Sequence, residues 1–150
     1  MATIQPRRRG LAQRPAPGVV RVHLDHLGDP VGHFDLAAVE RELLSDEAVE
    51  REGHSAVTLA KYSDLRAVLV TLRKGAEIPE ARAQARLSVH ALRGRLRLRL
   101  PEGALDLLAG HLVTLERGMA FSVEARAASS FLLTVSWPHD GGIPPWYPMH

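Results

Sequence analysis

The sequence of 150 residues contains no cysteine. This excludes disulfide bonds, thiol nucleophiles and cysteine-ligated metal sites, and it is compatible with a reducing cytoplasm. No apolar run reaches the roughly 18 residues that a membrane-spanning helix needs. The arginine cluster at residues 7–9 is not followed by an apolar stretch, which argues against a secretory signal. We therefore expect a cytoplasmic protein without a membrane segment.

A strong excess of charge is also missing. The formal net charge is only +2. Residues 1–30 hold five arginines and two aspartates, so this end carries +3 and the remaining residues carry −1. A short basic end can bind polyanions, but it is more typical of a solvated, disordered tail. Nucleic-acid binding is therefore not expected.

Several catalytic patterns are absent as well. The chain has no G-x-S-x-G nucleophile elbow, no phosphate-binding glycine loop and no H-E-x-x-H metal motif, and no Ser-His-Asp arrangement stands out. Three carboxylates, Glu77, Glu80 and Glu124, would form an acid–base pair only if a bulge turned them inward. The pair His23 and His26 lies in an irregular region and is better explained as surface polarity than as a metal site.

The residues that are present predict one domain between two irregular tails. Residues 1–32 and 139–150 are rich in proline and glycine, so we expect a flexible basic N-terminal tail and a C-terminal tail outside the sheet. One helix is predicted over about 35–51, capped by Asp35, with Phe34 and Val39 at the spacing of a hydrophobic staple. The domain is expected to cover 33–138.

After Gly53 the apolar period changes from helical to alternating. Short segments rich in Val, Leu and Thr are separated by turn signals, which is typical of an antiparallel sandwich or barrel. A strand, a turn and a second strand are also predicted across 79–94. The second of these strands is 87–92. The other predicted strands lie at 56–62, 65–73, 95–100, 111–115, 121–125 and 131–137.

Two spaced motifs within this region resemble those of small single-domain cupins. The first family motif is Gly, five residues, His-x-His, three or four residues, Glu, six residues, Gly, and it fits from Gly75 to Gly94 with its spacing intact. The second begins at Gly110 and meets Gly118 at the correct distance. The resemblance covers about 54–138 and implies an all-β fold, mainly a cupin-type antiparallel barrel or jelly roll, with one N-terminal helix. It also implies a homodimer.

The residues that bind the metal in this family are missing here. The resemblance assigns the four ligand positions to residues that offer no lone pair to a metal: Ala81, Ala83, Leu87 and Phe121. The family's Pro and Asn positions are Glu116 and Ala125. All four motif glycines remain, because backbone turns with positive φ need them. The sequence thus predicts a scaffold that has lost its metal site, with no cofactor.

Strand alternation predicts that odd positions from 81 to 91 point into the barrel and that even positions point outward. The odd positions are Ala, Ala, Ala, Leu, Val and Ala. Phe121 is larger than the histidine that it replaces, and the alanines are smaller. Two outcomes remain open: a barrel filled by its own side chains, or an apolar pocket for a small ligand.

An arginine stripe alternates with leucines: Arg93, Arg95, Arg97 and Arg99. A period of two places these arginines on one face, where they are expected to pair with carboxylates across strands or to hold an anion. No aromatic residue is interleaved, which argues against stacking on single-stranded nucleic acid.

These observations favour a metal-free cupin-like barrel that acts as a small-ligand-binding or structural and regulatory module. The alternative is a cupin enzyme, similar to isomerases and epimerases, that works without the usual metal or with a displaced one. The sequence leaves catalysis open, but the non-coordinating residues at all four ligand positions favour its absence. The candidate ligand is small and apolar.

Overall fold

The computed structural model describes residues 21–22, 30–82 and 84–137. The predictions for most of 1–32, for His23 and His26, and for the tail at 139–150 lie outside these residues. Within the described residues, no helix is both long and apolar enough to cross a membrane.

Ten strands and two helices follow one another along these residues. They are β1 (Arg21–Val22), α1 (Leu36–Leu44), α2 (Glu47–Glu52), β2 (His54–Lys61), β3 (Leu65–Leu72), β4 (Glu77–Arg82), β5 (Arg86–Arg93), β6 (Arg95–Leu100), β7 (Gly103–Leu108), β8 (Leu112–Leu115), β9 (Ala120–Ala125) and β10 (Ser129–Ser136).

The strands form two sheets. The larger sheet has the order β1-β2-β3-β10-β5-β8, and the smaller sheet has the order β4-β9-β6-β7. Pairings among these strands are antiparallel except that of β1 with β2, which is parallel. This confirms the prediction of a mainly antiparallel β fold. Residues 21–22, in the N-terminal region that was expected to be mostly irregular, form a short strand whose backbone pairs with Val57 and Thr58.

The predicted helix is divided into two short helices. Asp35 caps α1 as expected, since its carboxylate accepts from the Ala38 amide at 3.2 Å. The helix stops at Ser45, whose hydroxyl donates to the Glu42 carbonyl at 2.9 Å. Serine and aspartate compete with helical hydrogen bonds in this way. A single helix over 35–51 is therefore wrong at Ser45 and Asp46, where α1 ends and α2 has not yet begun.

Two apolar clusters hold these elements together. The inner cluster fills the space between the sheets and includes Leu96, Leu98, Val123 and Phe131. The outer cluster lies between α1 and the larger sheet. Phe34 packs there against the same cluster as Val39, as the staple spacing predicts. The outer cluster is formed by Val39, Leu43, Val57, Leu59 and Leu69.

The alternation predicted for β5 is observed. Leu87 is 4% exposed and Val89 is fully buried in the inner cluster, whereas Ser88 and His90 on the opposite face are half-buried. The alternation does not extend back to Ala81, which is exposed. Strand β4 lies at an edge of its sheet, where no other described strand covers it, and its register has an irregularity between Ile78 and Ala81.

Candidate functional site

The four motif glycines shape the turns around the barrel. Their φ angles are all positive: 87° at Gly75, 81° at Gly94, 92° at Gly110 and 81° at Gly118. Gly94 is the most constrained, because a Cβ built there would lie 2.2 Å from the Ala128 carbonyl oxygen. At this residue the chain leaves the larger sheet and enters the smaller one.

The described residues that the resemblance assigns to metal-ligand positions come from three strands. Ala81 of β4 is the register partner of Phe121 of β9. Leu87 of β5 lies in the same inner cluster as Phe121, which is 8% exposed. Ala83 lies outside the described residues. None of the three described side chains at these positions offers a nitrogen or oxygen atom, and Ala81 is exposed to solvent.

Among the described residues, no group of three or more His, Cys, Asp or Glu side chains is arranged to hold a metal ion. Glu124, one of the carboxylates considered for acid–base chemistry, lies on β9 but is bound elsewhere. It accepts from Arg99 at 2.6 Å and lies 3.5 Å from a nitrogen of Arg126.

The inner cluster also bears on whether the barrel is open. It combines side chains from both sheets, and its fully buried members include Ala85, Val89, Ala91, Leu96 and Leu98. Buried side chains that contact one another across the two sheets are what the filled-barrel alternative requires.

The arginine stripe is divided between two faces. Arg93 belongs to the larger sheet and lies 3.3 Å from Glu40 of α1. Arg97 pairs with Asp106 of β7 at 2.9 Å, on the outer face of the smaller sheet. The expectation that all four arginines share one face is thus wrong for Arg93, because Gly94 redirects the chain and an irregularity in the β5–β10 register precedes it.

The pairing of arginines with carboxylates across strands is observed for Arg97 and Arg99. The hydrogen bond between Arg97 and Asp106 lowers the pKa of Asp106 and raises the pKa of Arg97. A guanidinium that already holds a carboxylate has fewer donors left for a second anion. Arg95 lies on the same strand, two residues before Arg97, and is exposed.

A second candidate site was not found from the sequence. A cleft of about 570 Å³ opens beside the turn between β2 and β3. Its lining residues are Lys61, Tyr62, Ser63, Arg66 and Trp137. The guanidinium of Arg66 lies over the Trp137 ring, 5.1 Å from the ring centroid. No spacing rule connects Trp137 to a turn some 70 residues earlier, so only the fold brings these side chains together.

The cleft lies at the same end of the barrel as the ligand positions. Val135 of β10 is the register partner of both Arg66 and Leu87. Trp137 follows directly after β10 and packs against the inner cluster. The cleft is thus a rim site near Leu87, one of the positions that the resemblance assigns to a metal ligand.

Comparison with known proteins gives structural relatives only. No protein-family model matches the chain, and no curated protein has a significantly similar sequence. A conserved protein of unknown function from Streptococcus pyogenes is 22% identical with a TM-score of 0.57, over 60% of this chain and 79% of that one. An RmlC-like cupin from Shewanella frigidimarina is 17% identical with a TM-score of 0.55, over 60% and 81% of the two chains.

A larger relative is an enzyme. A mutant of salicylate 1,2-dioxygenase from Pseudoaminobacter salicylatoxidans, in complex with gentisate, is 16% identical with a TM-score of 0.63. The match covers 72% of this chain but only 34% of the dioxygenase. At these identities the comparison establishes the fold and not the activity. The described part of the chain has the fold of a small cupin jelly roll.

Proposed function

We propose that this protein is a metal-free cupin barrel that serves as a small-ligand-binding or structural and regulatory module without catalysis. The observation that carries the proposal is the chemistry of the ligand positions. Leu87 and Phe121 are buried in the apolar cluster, and Ala81 faces Phe121 across β4 and β9. Divalent metals bind imidazole nitrogen, carboxylate oxygen or thiolate, and these side chains offer none of them.

The alternative, a cupin enzyme that works without metal, needs acids or bases that point into the barrel. Among the buried residues that the structure describes, the one acid or base is Asp46, whose carboxylate accepts from Ser55 beside the helices. The carboxylate of Glu124 on β9 is held in ion pairs with Arg99 and Arg126. Both features support the non-catalytic role over the enzymatic one.

The proposal is tested by measuring metal per chain with elemental mass spectrometry, on untagged protein incubated with excess Fe, Mn, Ni and Zn and then desalted. We expect less than a stoichiometric amount of each. A matched gain-of-function variant, A81H/A83H/F121H, places three histidines at the family positions and should retain metal if the positions are correctly assigned. One tightly bound equivalent in the unmodified chain would overturn the proposal.

A homodimer remains part of the proposal, because the resemblance implies one and both sheets have edge strands. Strands β7 and β8 are edges of the smaller and the larger sheet. Unpaired strand edges readily add a strand from another chain. Light scattering after gel filtration should give twice the monomer mass of 16.4 kDa. A monomeric mass at all protein concentrations would contradict the proposed homodimer.

A further inference from the structure

We propose that the rim cleft lined by Lys61, Tyr62, Ser63, Arg66 and Trp137 binds a small organic acid, with its carboxylate held by Arg66 and Lys61. The inference rests on the ligand-binding form of the proposed function and names the ligand class and its place. It does not depend on whether metal is absent, because the cleft and the family's metal positions share no residue.

The first argument is unbalanced charge. Lys61 and Arg66 are register partners on β2 and β3, so two cationic side chains begin side by side. Neither forms an ion pair within the described part of the chain. Arg97 and Arg99, in contrast, each have a carboxylate within 3 Å. Two neighbouring cations without a counter-ion favour an anion in the space between them.

The second argument is an unsatisfied donor. The Nε atom of Arg66 is buried and has no acceptor among the described residues. Buried donors without a partner are uncommon in folded proteins and destabilise them. A carboxylate matches the fork of a guanidinium and accepts two parallel hydrogen bonds from it. An acid bound in the cleft would supply the acceptor when the guanidinium turns toward it.

The third argument is the shape and stiffness of the cleft. The cleft is open to solvent and has a volume of about 570 Å³. The walls are tied together by backbone hydrogen bonds, from the Tyr62 amide to the Leu65 carbonyl at 2.8 Å and from the Trp137 amide to the Asp64 carbonyl at 3.1 Å. The rings of Tyr62 and Trp137 give apolar surface beside the charges. An anion with a flat apolar body fits this lining better than a bare inorganic ion.

The test uses the full-length protein and three probes: benzoate, the neutral isostere benzamide, and inorganic phosphate. Amide and indole NMR signals are followed during each titration. We expect benzoate to shift the signals of Ser63, Arg66 and the Trp137 indole in a saturable way. Benzamide should bind at least about tenfold more weakly, since it loses the charge-assisted hydrogen bonds. Phosphate should also bind more weakly than benzoate.

Two variants and a control assign the effect to residues. Arg66→Gln should weaken benzoate binding about tenfold or more. Lys61→Gln changes an exposed side chain and should weaken it about threefold, which keeps the test valid if the Arg66 variant folds poorly. Arg99→Gln removes an arginine from the other sheet and should leave binding unchanged.

Several results would overturn the proposal. These are no saturable shift with benzoate, equal affinity for benzoate and benzamide, shifts centred on Leu87 and Phe121, or unaltered binding in both the Arg66 and Lys61 variants. If phosphate bound as tightly as benzoate, the claim that the ligand has an apolar body would be contradicted. Metal retention measured separately would contradict the metal-free function but not the cleft, so the two failures are distinguishable.

Discussion

Polar side chains are buried on the outer face of the larger sheet, whereas those on the outer face of the smaller sheet stay in contact with water. On the larger sheet, α1 and α2 cover the surface and bury its polar groups. There Ser130 donates to Glu40, and Ser55 donates to Asp46 at 3.1 Å. On the smaller sheet neither of these two helices lies over the arginines. Arg97 and Arg99 pair with carboxylates while they remain in contact with water.

This contrast shows how burial determines the value of a polar contact. Ser130 is fully buried, so the loss of its partner leaves an unsatisfied hydroxyl in an apolar layer. The arginines of the smaller sheet can exchange a carboxylate for water at little cost, and salt screens them. Equal numbers of polar contacts on the two faces thus contribute unequally to stability.

The largest expected effect comes from the residue that joins the two sheets. Gly94→Ala should lower the free energy of unfolding by about 4 kcal/mol or more, because the new Cβ would collide with the backbone of Ala128 and Ser129. Gly118 is a matched control with the same φ of 81° and no atom within 4 Å of its Cβ. Gly118→Ala should lower the free energy of unfolding by only about 1–2 kcal/mol. Urea unfolding followed by circular dichroism measures both, and equal losses would show that strain in φ, not the collision, dominates.

The second effect is expected on the helix-covered face. Glu40→Ala removes the acceptor of Ser130 and the partner of Arg93, and should lower the free energy of unfolding by about 1–3 kcal/mol. Asp106→Ala removes the corresponding carboxylate from the open face and should have a much smaller effect. Similar losses in the two variants, measured by urea unfolding, would contradict the contrast between the faces.

The third prediction concerns an unpaired hydroxyl on the covered face. Thr71 is the register partner of Ser55 and Ser130, is fully buried, and has no partner for its Oγ1 atom among the described residues. Thr71→Val should leave the free energy of unfolding unchanged or raise it by up to about 1 kcal/mol. Ser130→Ala, which breaks a hydrogen bond, should instead destabilise. If Thr71→Val lost as much stability as Ser130→Ala in urea unfolding, a buried water or another partner would be indicated.

The smallest effect is expected on the open face, as a shift in titration. The hydrogen bond from Arg97 lowers the pKa of Asp106. A carboxylate with a lowered pKa stabilises the folded state above its unfolded pKa, and this contribution is lost as the pH falls through its folded pKa. Arg97→Gln should move the pKa of Asp106 up toward the ordinary value of 3.8, as measured by carboxyl NMR titration. Arg99→Gln should leave the pKa of Asp106 unchanged. An unshifted pKa of Asp106 in the Arg97 variant would contradict the hydrogen bond from Arg97 as the cause of the lowered pKa.

Much of the fold follows from local sequence. The alternation of Leu and Arg over 95–100 places Leu96 and Leu98 in the core, and the structure confirms this. Strand β7 was missed because only Leu107 of its six residues is buried, so no alternation is visible in an edge strand. The break at Ser45 and Asp46 was missed because no glycine or proline marks it, and the Ser45 hydroxyl bonds locally to the Glu42 carbonyl. Strand β7 is instead determined by its pairing with β6.

The candidate site also combines features that follow from the sequence with features that only the fold determines. The sequence alone predicted that the positions assigned to metal ligands by the resemblance hold alanine, leucine and phenylalanine, and it placed glycines where turns have positive φ. Only the tertiary structure placed Arg93 beside Glu40 of α1, apart from Arg97, and brought Arg66 and Trp137 together at the barrel rim. The physical reason is that residue type, periodicity and turn geometry are properties of short segments. Which charge finds a partner depends on strand pairing between distant segments, and this is fixed only when the two sheets close around their shared core.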